Sequence, residues 1–180
     1  MSLHAFVDES RRKGTYLVAV VIVDPGDLSR LRKLLLSLLF PGQKELHFKK
    51  ETPERRKLIM SRLCAAGVDV RIYSRSCTYG DEAARQDCLA ALTLDLLAIG
   101  VVRLVLDTRE ERDIHDAHTI RAALGVHPKE TLMTYEHMYS HTERLLWIAD
   151  AAVWCHGAGG DWPRRAKGVI RAVVDIDNRT

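Results

Sequence analysis

The sequence predicts an α/β domain in which helices flank a mixed β-sheet of about five strands. Two β-branched runs, residues 3–7 and 16–23, are separated by the polar segment DESRRKG, which predicts a hairpin. Farther along, capped helical segments alternate with short apolar strands. At 180 residues the chain is long enough for one sizeable core and short for two. We therefore treat residues 1–180 as a single domain.

The segment after the hairpin predicts a helix over residues 28–39 that projects from the core. Asp27 is a candidate N-cap, and leucines recur at helical spacing. The leucine content makes this helix a candidate homodimer contact. PGQ ends the helix, and the following ELHFKK is predicted as a short strand.

Two further strands are predicted to run parallel. VDVRIYS alternates as a strand, and VVRLVLD is typical of a buried strand. The helix between them ends at Gly100, and a right-handed crossover makes the two strands parallel. The last segments predict a short helix, a weakly alternating strand, an apolar helix, and a strand or helix: HTIRAALG, TLMTYEHMY, TERLLWIADAAVWCHG and GVIRAVVDIDNRT.

Composition and charge favour a cytoplasmic globular protein. The longest apolar run, residues 16–23, is far shorter than the roughly 20 residues of a membrane span, so no membrane partner is expected. The four scattered cysteines form no CxxC pair, which predicts reduced thiols. The net charge is only +3, yet the cations are clustered, which is compatible with a polyanionic ligand.

Three carboxylates are predicted to converge at one end of the sheet. Asp8 ends the first strand, Asp107 ends VVRLVLD, and Asp150 lies in the most apolar helix. If the first strand neighbours VVRLVLD, Asp8 and Asp107 repel each other unless a cation lies between them. Mg²⁺ prefers such oxygen ligands, and a pair of ions can activate water against a phosphodiester. The alternatives are that Asp107 only ends a strand, that Asp150 faces solvent, and that Glu9 starts the hairpin loop.

Three motifs resemble those of a known family. HAFVDES, ELHFKK and LLWIADAAVW are similar to the motif regions of the bacterial domain-of-unknown-function family 3800 (DUF3800), which resembles the RNase H and retroviral-integrase superfamily. The resemblance implies an RNase H-like fold and a metal-dependent nuclease. It assigns four acids to the site: Asp8, Glu45, Asp107 and Asp150. This chain departs from the family pattern at Arg11, where glycine is usual, and at Trp147, where glutamine is common.

His47 and Lys49 alternate with Leu46 and would share the face of Glu45. His47 is therefore a candidate for proton transfer or for contact with the scissile phosphate, the alternative being a structural histidine. Lys49 could pair with phosphate. Two histidine pairs at helical spacing do not predict a transition-metal site, because no third ligand or HExxH order completes them: His115 with His118, and His137 with His141.

Two functions remain open from the sequence. The first is a nuclease that uses Mg²⁺ or Mn²⁺ to cut RNA or DNA, with nearby basic clusters on the backbone. The second is a non-catalytic nucleic-acid-binding or assembly domain on the same fold. The first predicts that the carboxyl groups of Asp8, Asp107 and Asp150 lie within about one ion-pair shell of one another, so that one or two metal ions can bridge them. It also predicts that at least one clustered carboxylate has a raised pKa without metal.

Overall fold

The fold is built on a six-stranded mixed β-sheet, seen in a computed structural model that describes residues 2–125 and 132–179. The strands are β1 (Leu3–Arg12), β2 (Thr15–Val23), β3 (Asp69–Ser76), β4 (Val101–Asp107), β5 (Thr134–Met138) and β6 (Ile170–Asp175). Their order is β5-β4-β1-β2-β3-β6, and β2 is antiparallel to both of its neighbours. The other three pairings are parallel, so β1 and β4 end at the same edge of the sheet. The predicted parallel relation of β3 and β4 is confirmed, although β1 and β2 lie between them.

Six α-helices cover the two faces of the described sheet: α1 (Leu28–Ser37), α2 (Pro53–Ala66), α3 (Asp81–Ala98), α4 (Asp113–Leu124), α5 (Leu146–Ala158) and α6 (Trp162–Arg165). One core joins α1, α2, α5 and α6 to residues such as Phe6 and Val105, and we call this side the α5 face. A second core joins α3 and α4 to Val7 and Leu104, and we call this side the α3 face. No helix among the described residues is long and apolar enough to span a bilayer.

The first hairpin is longer than predicted. β1 continues through Glu9 to Arg12, and the turn is only Lys13 and Gly14. Both turn residues have positive φ, 47° and 78°, which suits the twist of a tight hairpin. Glu9 therefore does not start a loop; it is paired within the strand, opposite Val18.

The predicted strand ELHFKK is wrong. After an extended stretch the chain forms a short 3-10 helix, Phe48–Lys50. Phe48 is buried with its ring centroid 5.3 Å from that of Trp154. The Arg56 guanidinium donates to the carbonyl oxygens of Phe48, at 2.8 Å, and Lys49, at 2.5 Å, so a side chain satisfies backbone groups that a strand would pair.

The helix after the hairpin packs on the core and does not project from it. Leu31 and Leu35 of α1 are buried on the α5 face. Arg32 makes an ion pair at 2.6 Å with Glu143, which is buried. Leu36 stays exposed, so the homodimer contact remains a prediction.

Candidate metal centre

Two of the predicted acids lie on adjacent central strands. Asp107 ends β4 as predicted, but Asp8 lies within β1 and not at its end, because β1 continues to Arg12. Val7 of β1 pairs with Leu106 of β4, which places Asp8 and Asp107 one step beyond on adjacent strands. Because side chains alternate along a strand, Asp8 shares the face of Phe6 and Asp107 that of Val105. Both belong to the α5 face, as predicted.

The third acid comes from the helix that packs over β1. Asp150 of α5 accepts a hydrogen bond from the backbone N–H of Phe48 at 3.0 Å. Its charge acts on both Asp8 and Asp107, which places the three carboxylates in one electrostatic cluster. All three therefore belong to the α5 face, but their ligand atoms do not all come within 4.8 Å of one another, so the prediction that one or two metals bridge them stays a prediction.

Glu45 and His47 form a pair at the rim of this cluster. His47 Nε2 lies 2.9 Å from Glu45 Oε1, and Ser140 donates a hydrogen bond from its hydroxyl to Glu45 Oε2. His47 is extended, whereas Glu45 lies at a bend, so their contact does not come from a strand. Ser140 follows β5 and was not predicted, since nothing in the sequence around it marks it.

The electrostatics differ between the inner acids and Glu45. Burial, followed by the charges of Asp150 and Asp107, raises the pKa of Asp8 well above its ordinary value. Burial and the charge of Asp150 raise the pKa of Asp107 to about 6. Burial also raises the pKa of Asp150. Burial acts on Glu45 in the same sense, but the hydrogen bond from Ser140 and the nearby His47 outweigh it and lower the pKa of Glu45.

The inner acids have few partners of their own. One oxygen of Asp8 accepts the N–H of Glu9 at 2.7 Å, and one oxygen of Asp150 accepts that of Phe48. Asp107 accepts no hydrogen bond from any described residue, and within residues 2–125 and 132–179 no lysine or arginine nitrogen lies within 4.0 Å of these three carboxylates. Their free lone pairs are the hard oxygen donors that Mg²⁺ and Mn²⁺ prefer. No three acids of the set Asp8, Glu45, Asp107 and Asp150 have ligand atoms all within 4.8 Å of one another.

Unlike the inner acids, the acids on the α3 face have an arginine as their partner. Arg85 of α3 donates from Nε to Glu9 at 2.8 Å and bonds both oxygens of Asp116 through its two terminal nitrogens. His137 Nε2 lies 2.9 Å from Asp116 Oδ2, and Arg109 also contacts Glu9. We call these five residues the Arg85 network. The Arg85 network lies on the opposite face of the sheet from Asp8, because Glu9 follows Asp8 in β1 and its side chain points to the other face.

Asp113, Asp116 and His137 also bring ligand atoms within 4.8 Å of one another. The Arg85 guanidinium already bonds both oxygens of Asp116, so the positive charge that a metal would supply is present. The two histidine pairs seen in the sequence do not form ligand sets. His115, His118 and His141 are exposed, and His141 stacks on Tyr139 at 5.3 Å.

A cavity of about 330 Å³ opens beside Asp150. Basic and aromatic side chains line much of it: Arg11, Arg12, His47, Lys49 and Trp154. The cavity runs between the far half of β1 and α5, with the 3-10 helix as a third wall. A polyanion that reaches the carboxylates would therefore pass cationic groups.

Comparison with known proteins identifies the fold. No protein-family model matches the chain, and no curated protein matches it either. Among solved structures, the chain is similar to one from the PCNA:RNase HII complex of Archaeoglobus fulgidus. The TM-score is 0.59 with 14% identity, over 88% of this chain and 72% of that chain. At this identity the likeness concerns the fold alone, and the predicted RNase H-like α/β fold is confirmed.

Proposed function

We propose that this protein is a nuclease that hydrolyses phosphodiester bonds of RNA or DNA with Mg²⁺ or Mn²⁺. The observation that carries the proposal is the contrast between the two faces of one strand end. Glu9, on the α3 face, is paired with Arg85, whereas no lysine or arginine nitrogen of the described residues lies within 4.0 Å of Asp8, Asp107 or Asp150, and only the more distant charge of Arg109 acts on Asp107. Burial, together with neighbouring like charges, raises the pKa of Asp8 and of Asp107, and a divalent ion would relieve the repulsion.

Each acid has a role in holding the ion. Asp8, Asp107 and Asp150 would supply the inner ligands from β1, β4 and α5, and Glu45 would complete the shell or position water. The ion, when bound, supplies a more acidic water and stabilises charge on the phosphate. The sheet and α5 place the carboxylates on one face, and because no three of these acids have ligand atoms all within 4.8 Å of one another, their side chains would move closer together around a shared ion.

Glu45 and His47 add a proton-transfer pair. Glu45 orients the imidazole through the contact at 2.9 Å, and Ser140 holds the other oxygen of Glu45. His47 is half exposed and lines the cavity, where a phosphate oxygen or a leaving hydroxyl could reach it. The three motif segments further support the proposal that the chain is a member of domain-of-unknown-function family 3800.

The test combines metal binding with cleavage. Mn²⁺ is titrated calorimetrically into the wild type and into Asp8→Asn, which keeps the side-chain shape and removes one charge. Labelled single-stranded and double-stranded RNA and DNA are then incubated with Mg²⁺, Mn²⁺ or chelator. We expect Asp8→Asn to weaken Mn²⁺ binding and to lower cleavage by at least about a hundredfold.

The matched control is Asp87→Asn, a half-exposed acid on α3 that pairs with Arg75. It should leave both Mn²⁺ binding and cleavage close to the wild-type values. Cleavage by Asp8→Asn at the wild-type rate would refute the assignment of the site. A wild type that binds oligonucleotides but cuts none with either metal would favour the non-catalytic binding domain.

A further inference from the structure

The half of β1 beyond Asp8 extends the α5 face toward the basic end of the cavity. Asp8, Ser10 and Arg12 alternate onto the same side of the strand, so a carboxylate, a hydroxyl and a guanidinium follow one another. On α5, Asp150 and Trp154 are one helical turn apart and face the same cavity. Along β1 the series runs from Asp8 to Arg12, and along α5 it runs from Asp150 to Trp154. Arg12 can bind a phosphate, and Trp154 lines the same cavity.

Arg12 is held in place by the helix opposite. A Cβ added at Gly157 would lie 2.7 Å from Arg12 Cγ, so the glycine leaves the space that the arginine stem occupies. The Arg12 guanidinium carbon lies 5.7 Å from the Trp154 ring centroid, within cation–π range. A glycine and a tryptophan of α5 therefore fix the direction of this side chain.

Arg12 makes no ion pair with a described carboxylate. Arg11, its neighbour on the α3 face, pairs with Asp81 at 2.7 Å. In the part of the chain that the structure describes, neither Arg12 nor Lys49 has a carboxylate within 4.0 Å. Both line the cavity next to Asp150. A fixed arginine without a counter-ion in a cavity is suited to an anion from outside the protein.

We infer that Arg12, supported by Lys49, binds a backbone phosphate of a polynucleotide at a position other than the phosphate that is cut. This inference rests on the proposed function for the position of the scissile phosphate. Arg12 lies four positions beyond Asp8 along β1, which is about 13 Å between Cα atoms. Arg12 and Asp8 therefore start from different positions along the cavity, and this arrangement suits successive phosphates of a chain of several nucleotides.

The subsite recognises backbone rather than sequence. Arg12 and Lys49 offer charge, and the Trp154 ring has Arg12 and Arg56 against it, the latter with its guanidinium carbon 4.3 Å from the ring centroid. Phosphate contacts of this kind set the register of a strand and carry no base information. The affinity should therefore depend on salt and chain length more than on sequence.

Equilibrium binding in the presence of chelator separates this inference from catalysis. The probe is a fluorescently labelled, mixed-sequence single-stranded oligonucleotide, and its binding is measured over a range of salt concentrations. We expect Arg12→Ala to weaken binding about tenfold. The slope of the logarithm of affinity against the logarithm of salt should fall by about 0.7. Arg12→Lys should recover most of both losses, and Arg62→Ala, an exposed arginine of α2, should change neither.

Gly157→Ala tests the placement of Arg12 without changing any charge. The added methyl group would displace the arginine stem, so binding should weaken although both cations remain. In the double variant with Arg12→Ala, the methyl group no longer meets the arginine, so the second substitution should add little further loss. Thermal unfolding of each variant shows whether the fold is intact, and Arg12→Gln, which keeps most of the stem, replaces Arg12→Ala if the latter unfolds.

The outcomes distinguish the two proposals. Wild-type affinity and salt slope in a folded Arg12→Ala would overturn the phosphate subsite while leaving the nuclease intact. Arg12-dependent binding by a protein that cuts nothing would support the subsite and overturn the nuclease. A wild type that neither binds the oligonucleotide in chelator nor cuts RNA or DNA with either metal would overturn both.

Discussion

Arg85→Met is expected to destabilise the protein strongly, because Arg85 neutralises two buried acids. The side chains of Arg85, Glu9 and Asp116 are 4%, 6% and 1% exposed. Methionine keeps most of the apolar stem of arginine but leaves both carboxylates in the interior without their guanidinium. The loss is thus electrostatic, and little of it comes from an empty volume.

The expected loss of unfolding free energy depends on which partners Glu9 and Asp116 keep. Removing one partner of a buried ion pair costs about 3–5 kcal/mol. Arg109 still contacts Glu9, and His137 remains 2.9 Å from Asp116, so the lower end of that range applies. For a chain of this size about 3 kcal/mol corresponds to a fall in Tm of roughly 6–12 °C.

The assay is urea unfolding followed by circular dichroism, with chelator present so that metal affinity plays no part. Arg75→Met is the matched control, because Arg75 pairs with Asp87 and Asp177 at the surface. Exposed pairs contribute about 0–1 kcal/mol, so this variant should stay close to the wild type. An Arg85→Met protein within 1 kcal/mol of the wild type would refute the reasoning that the network compensates buried charge.

Three further predictions follow from other parts of the molecule. Because the pKa of Asp107 is raised to about 6 in the folded protein and lies near 4 in an unfolded chain, proton binding favours the metal-free folded state. This contribution is complete below about pH 4 and is lost as the pH rises through about 6, so Asp107→Asn should flatten that part of the stability profile measured by urea unfolding in chelator. Glu45→Gln should lower kcat about a hundredfold with little effect on unfolding, since it removes the charge that orients His47, and an unchanged kcat would exclude this role. Thr52→Ala removes the hydroxyl that caps α2 through the N–H of Arg55 and should cost about 1 kcal/mol in urea unfolding, whereas a loss near zero would show that the cap contributes nothing.

Local patterns in the sequence predicted most of the sheet and the inner acids. Strand alternation placed Asp8 and Asp107 on the same face, because a side chain's face depends only on its position along its own strand, although the prediction that Asp8 ends β1 is wrong. The apolar helix α5 was also evident from the sequence. An acid within such a helix needs a partner, and this marked Asp150 as a site residue. These features depend on neighbours within one element, so the sequence alone determined them.

Contacts between distant segments decided the rest. The 3-10 helix at Phe48 replaces the predicted strand because two tryptophans of α5 and α6 surround its ring, and no local pattern encodes that packing. Glu9 is bonded by Arg85, which lies 76 positions away, and the glutamate that was expected to start a loop therefore stays in the strand. Only the tertiary structure could show that Asp8 and Glu9, adjacent in sequence, have opposite environments. Asp8 faces other acids while Glu9 faces a guanidinium, because the strand sends successive side chains to opposite sides of the sheet.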